Sequence, residues 1–211
     1  AVIGDKLELN GETYTVVDRE TLKDMIDDKQ DVTYVVTSKI KNMSNMLRGT
    51  STYKRVNGIT IDELESLQVN GDISSWDVSN VTNMFGMFGY CFVFNQDLSG
   101  WTVSNVTDMN GMFLGCSVFN QDLSKWNVSN VTDMQEMFGT SVGSVFNGDL
   151  STWNVSNVTN MQGMFGGCSV FNQDLSTWNV SNVTDMDGMF AKCSAFNGDL
   201  STWNVSNVTN M

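Results

Sequence analysis

In the second half of the chain, apolar residues return on a fixed phrase. Counting from a Leu, they fall at +3 (Trp), +5 and +8 (Val), +11 and +14 (Met) and +15 (Phe), as in Leu98, Trp101, Val103, Val106, Met109, Met112 and Phe113. The W-x-V stretch alternates, which predicts a short strand with every second side chain buried. The V-x-x-M-x-x-M-F stretch steps by three and four, which predicts a helical turn or 3-10 segment. All six Trp residues lie in this series, Trp76, Trp101, Trp126, Trp153, Trp178 and Trp203, at spacings of 25, 25, 27, 25 and 25. A fixed period of this length is the signature of stacked repeats, each of which buries its apolar side only against its neighbours. Five full units run from Asn70 to Phe196 and a sixth begins and ends at Met211. The 27-residue spacing has a visible source, because "MFLGCSVFNQ" at 112–121 becomes "MFGTSVGSVFNG" at 137–148 and the Cys of the other repeats is lost there.

Ahead of the repeats the pattern changes. "KLELNGETYTVVD" alternates like a hairpin with its turn at Asn10-Gly11. "RETLKDMIDDKQ" places Leu22, Met25 and Ile26 on one helical face, with Asp18 as N-cap. "SKIKNMSNML" at 38–47 aligns with "SNVTNMFGMF" at 79–88 as a worn repeat, followed by an excess that includes "TYKRVNGITIDELESL". Residues 1–69 therefore read as an N-terminal cap, worn repeat and transition, and 70–211 as the repeat domain. The expected architecture is an α/β repeat solenoid, a leucine-rich-repeat-like right-handed coil. Each 25-residue unit would hold one short parallel strand and one short helical or 3-10 segment, behind a β-hairpin/helix cap.

The unit "DLSTWNVSNVTDM" followed by M-F, a small residue, Cys and F-N resembles the BspA-like leucine-rich-repeat surface proteins, in the branch first described as a mycoplasma family of unknown function. That family's pattern, roughly L-x-x-I-x-I-P-x-x-V-x-x-I-x-x-x-A-F-x-x-C, maps onto Leu98, Trp101, Val103, Val106, Met109, Met112, Phe113 and Cys116, with one residue fewer in the turn after the strand. The resemblance covers 70–211 and implies a bacterial cell-surface or secreted protein engaged in adhesion.

Stacking turns each position of the phrase into a column with neighbours about 4.8 Å apart, as in a parallel sheet. Thirteen of the fourteen Met residues fall in the two Met slots, where helical spacing beside Phe reads as core. Asn80, Asn105, Asn130, Asn157, Asn182 and Asn207 form a column able to bridge backbone groups of successive turns; the same N-V-T spelling matches a glycosylation sequon. In the column Asp72, Asp97, Asp122, Asp149, Asp174 and Asp199, neighbouring like charges repel by about 1 kcal/mol in water. Either an Asx-type bond to the Ser two residues on, or Ca²⁺ shared between repeats, would offset that. Cys91, Cys116, Cys168 and Cys193 form two adjacent pairs, which could be disulfides or small buried apolar residues.

Charge narrows the function. The net charge is −13, and residues 70–211 carry two Lys against twelve acids, which argues against nucleic acid and against an anionic membrane surface. No apolar run is long enough for membrane insertion, and "AVIGDKLELN" lacks the regions of a signal peptide. The chain has no His, no nucleophile elbow, no phosphate loop, no dinucleotide fingerprint and no zinc spacing, so no enzyme and no cofactor is expected. What remains is binding. If W-x-V is the strand, the outward face consists of the residues flanking Trp, which are Ser75, Gly100 and the ten candidate binding residues Asp77, Thr102, Lys125, Asn127, Thr152, Asn154, Thr177, Asn179, Thr202 and Asn204. This face is polar and nearly uniform, without the aromatic and Arg anchors of protein hot spots, and favours a periodic target such as a polysaccharide over a folded extracellular protein. A structural spacer that displays another module is the alternative, and binding to an ordered surface such as ice a third. The sixth unit stops before its helical half, so its core edge offers end-to-end self-association.

Overall fold

The computed structural model describes residues 2–56, 59–65 and 72–211, with backbone course alone over 50–56 and 59–65. Strand β1 (Lys6–Leu9) pairs antiparallel with β2 (Glu12–Val16). The turn between them holds Asn10 and Gly11 at φ of 53° and 84°, the left-handed pair that a two-residue hairpin turn requires. Helix α1 (Arg19–Asp27) starts where the Asp18 carboxylate accepts the Thr21 N–H at 2.8 Å. It ends where Lys29 turns left-handed, with the Lys29 and Gln30 N–H groups returning to the Ile26 and Met25 carbonyls. Its buried face is Leu22 and Ile26. Strand β3 (Val35–Val36) lies parallel to β2. Strands β4 (Thr50–Val56) and β5 (Ile59–Glu65) form a separate antiparallel pair within the transition segment.

From Asp72 on, successive repeats are hydrogen-bonded side by side. Parallel bridges join Asn42, Asn83, Asp108, Asp133, Asn160, Asp185 and Asn210 in order. These are the residues before the first Met of each unit, so the pairing lies one turn later than the W-x-V strand that alternation predicts. Trp and the first Val are buried and the residue between them exposed, but their neighbourhood is made of turns, such as Trp101 N–H to Leu98 C=O and Val106 N–H to Val103 C=O.

The M-x-x-M-F stretch departs from the helical expectation as well. Met112, Leu114 and Cys116 each donate to the carbonyl three residues back, as a short helix would. Yet Gly111 and Gly115 sit at φ of 61° and 76°, and a left-handed residue every few positions breaks helical continuity. Meanwhile the N–H groups of Met109, Gly111, Phe113 and Gly115 point to the carbonyls of Asp133, Gln135, Met137 and Gly139 in the next repeat. Spacing by three and four thus arises from consecutive β-turns, half of whose donors serve the neighbouring repeat. Among the described residues of 72–211 there is no α-helix or 3-10 helix.

One continuous core runs from Val17 to Cys193. Two columns of Phe line it. Phe88, Phe113, Phe138, Phe165 and Phe190 stack with ring centroids 5.4 to 5.8 Å apart, and Phe94, Phe119, Phe146, Phe171 and Phe196 at 5.9 to 6.2 Å. Such near-parallel pairs add about 0.5–1.5 kcal/mol each beyond the area they bury. Residues 32–49 receive the same bonds as a full repeat does, Trp76 Nε1 donating to Val32 C=O and Met43 N–H to Asn83 C=O.

Candidate binding faces

The ten candidate residues beside Trp, Asp77, Thr102, Lys125, Asn127, Thr152, Asn154, Thr177, Asn179, Thr202 and Asn204, are exposed. Most of their polar atoms are occupied within the chain. Asp77, Asn127, Asn154, Asn179 and Asn204 each accept the N–H of the Ser two residues on, at 3.0 to 3.2 Å. Thr152, Thr177 and Thr202 donate their hydroxyls to the Ser124, Ser151 and Ser176 carbonyls of the preceding repeat. The Asn residues of this face use their amide oxygens in these bonds, and the Lys125 ammonium lies within electrostatic range of the Asp97 and Asp122 carboxylates.

The Asp column is explained by geometry. Asp72, Asp97, Asp122, Asp149, Asp174 and Asp199 each accept the N–H of Ser74, Ser99, Ser124, Ser151, Ser176 and Ser201 at 2.8 to 2.9 Å. The bonds from these serines hold the carboxyls of Asp97, Asp122, Asp174 and Asp199 below the usual carboxylate range. Among the described residues no three Cys, Asp or Glu side chains come together as a metal site.

The Asn column bridges repeats at every step. Nδ2 of Asn80, Asn105, Asn130, Asn157, Asn182 and Asn207 donates to the carbonyl of Ser38, Ser79, Ser104, Ser129, Ser156 and Ser181 at 2.7 to 2.9 Å. A second Asn ladder went unread in the sequence: Oδ1 of Asn95, Asn120, Asn147 and Asn172 accepts the N–H of the next Asn in that series. Its signal was the invariant Asn of F-N-[QG]-D, hidden beside the more prominent Asp.

The four cysteines are free and buried, each thiol donating to a carbonyl of the preceding repeat. Burial pushes the Cys91 and Cys168 thiols up to about 12, which leaves them protonated and unreactive at neutral pH. In the repeat without Cys, Ser144 is buried and its hydroxyl accepts the Phe146 N–H.

A different surface carries a long groove. It holds about 720 Å³, crosses five repeats from Tyr90 to Lys192, and has Glu136, Gln162 and Asp187 along it over a glycine-rich floor. None of the twelve Trp-flanking residues lines it. The three-residue stretch Ser141-Val142-Gly143, which holds the two-residue excess, rises beside it with Val142 exposed.

The model of a family described as "Mycoplasma protein of unknown function, DUF285" matches residues 18–143 and again 141–211. The chain belongs to this family. The two matches meet at the inserted stretch, so DUF285 is spelled here as two arrays joined where the 27-residue spacing falls. No curated protein and no solved structure matches the chain.

Proposed function

We propose that the chain is a right-handed leucine-rich-repeat-like solenoid of the BspA-like kind, carried at a bacterial surface or secreted, and that it acts in adhesion. Its extended periodic face would meet a polysaccharide or extracellular protein. The supporting observation is the bonding of each repeat to the next in constant register, which sets one exposed polar pattern side by side from Asp77 to Asn204. A polymer with its own period can match such a face at many points, and weak contacts then add by avidity. Leu200, Trp203, Val205 and Met211 line an apolar recess of about 400 Å³ at the last repeat.

One observation favours the second reading, a spacer that displays another module. The Asn and Thr groups of the face already serve their own turns and the preceding repeat, which is what scaffold residues do. Arrays of glycans and surface proteins separate the two. Specific retention that disappears in Thr152→Arg/Thr177→Arg, with melting temperature kept, supports binding through this face. Retention of nothing by the parent chain leaves the spacer.

A further inference from the structure

Among the described residues of 72–211, three non-glycine residues hold a left-handed backbone: Tyr90 (φ 62°), Glu136 (φ 51°) and Lys192 (φ 61°). Most sister repeats place Gly at these positions, Gly115 and Gly167 in the column of Tyr90 and Lys192 beside Thr140, and Gly86, Gly111, Gly163 and Gly188 in the column of Glu136, where Asn45 of the worn repeat, outside the groove, is also left-handed at φ 53°. An L side chain adopts this conformation at a cost, and such costs gather at functional sites. All three residues line the same groove. Each of the first two also lies over a glycine of the next repeat. A Cβ on Gly115 would come within 3.1 Å of the Tyr90 ring, and one on Gly163 within 3.2 Å of Glu136 Cγ.

From this coincidence we infer that the groove is a binding site for a neutral polysaccharide, with Tyr90, Glu136 and Lys192 as its contact residues. The inference rests on the reading of the protein as a binding protein, but assigns a face distinct from the Trp-flanking one. The three residues stand two repeats apart, so they sample the groove at intervals of roughly 10 Å, twice the parallel-strand spacing. A linear chain lying along the repeats would meet them in turn.

The chemistry selects the ligand. A peptide would add as a strand or insert apolar anchors into pockets. Here the N–H groups of the floor, at Gly115, Glu136, Gly163 and Gly167, already bond to the next repeat, and the floor is glycine. What the groove offers is an aromatic ring held by the Arg48 guanidinium 5.0 Å from its centroid, the Glu136 and Asp187 carboxylates, the Gln162 amide, the Thr140 and Ser141 hydroxyls and the Lys192 ammonium. These are an apolar platform and directional donors and acceptors, the complement of a sugar with one C–H face and a rim of hydroxyls. The net charge of −13 disfavours acidic polysaccharides.

Affinity electrophoresis in native gels containing starch, galactomannan, xylan or β-glucan, with alginate as the anionic control, tests the assignment. The parent should be retarded in at least one neutral gel. Glu136→Gly and Tyr90→Gly, which restore the sister residue, should each weaken retardation by about tenfold or more. Glu136→Gly should do so with a melting temperature equal to or above the parent's, since it removes backbone strain. No retardation in any neutral gel, or equal retardation of parent and both variants, overturns the site. Binding to an array of extended peptides alone overturns the ligand class. Retention lost in Thr152→Arg/Thr177→Arg but kept in the glycine variants overturns the groove while leaving the adhesive reading standing.

Discussion

The first 30 residues and the repeats satisfy their backbones in opposite ways. In the hairpin and helix α1 most bonds close locally: Asn10-Gly11 turns β1 onto β2, and Asp18 and Lys29 close the two ends of α1, while Thr15 and Val17 N–H reach the Tyr34 and Val36 carbonyls and the Arg19 guanidinium the Ser44 carbonyl. In the repeats, every second N–H of M-x-x-M-F and the side chains of Trp, Asn, Thr and Cys reach a residue of the neighbouring repeat, 24 to 30 positions away within 72–211. The contrast teaches where damage travels. A local unit fails by itself, whereas a repeat is incomplete without its neighbour, and loss in one removes partners from the next.

The largest break should come at Trp126, which is buried and donates Nε1 to the Leu98 carbonyl at 3.0 Å. Trp126→Ala is expected to cost about 3–5 kcal/mol in denaturant unfolding. Amide exchange should then show protection lost in the repeats on both sides and kept in α1; melting like the parent would remove the Trp ladder from the account. Next comes the close approach at Gly167, where a Cβ would meet the Thr140 carbonyl oxygen at 2.0 Å in a backbone at φ of 82°. Gly167→Ala should destabilise by more than the roughly 1–2 kcal/mol of left-handed strain, and Gly143→Ala, at φ of 89° with nothing within 4 Å, by that strain only.

Smaller effects sharpen the comparison. Asn130→Ala removes the donor to the Ser104 carbonyl and should cost about 1 kcal/mol, seen in two adjacent repeats. Asp18→Ala should cost a similar amount of about 1 kcal/mol, with exchange increased in α1 alone. The smallest effect is a matter of pH. Asp133 is half-buried beside Asp108, and burial first, then that neighbouring charge, raises its carboxyl above the ordinary range. A carboxyl raised on folding stabilises the protonated state, so its contribution is present below the unfolded value near 3.8 and lost as pH rises through the folded one. Asp97, Asp122, Asp174 and Asp199 are lowered and act with the opposite sign, stabilising above the unfolded value and losing that as pH falls. Asp133→Asn, the residue type at Asn83 and Asn160 in this column, should therefore raise the melting temperature at pH 7 and lose the gain in acid.

Legibility follows the same division. The Asn10-Gly11 turn and the Asp18 cap are local chemistry and could be read from a few letters. The buried set of each repeat was legible too, because Trp, Val, Met and Phe recur at fixed offsets. The identity of the elements was not. Consecutive β-turns with glycine at every third or fourth place give the same apolar spacing as a helix, and the left-handed backbone angles and the bonds to the neighbouring repeat tell them apart. The groove was hidden for a related reason: Tyr90, Glu136 and Lys192 look like ordinary substitutions until their backbone angles are known.

The direction of the side-chain bonds carries a last consequence. Nε1 of each Trp, Nδ2 of each N-V-T Asn and each cysteine thiol donate to a carbonyl of the preceding repeat. The backbone N–H groups of Met109, Gly111 and Phe113 run the other way, to carbonyls of the following repeat. Each seam between repeats is therefore stitched from both sides, so that losing one repeat strands side-chain donors in the repeat after it and backbone donors in the repeat before it.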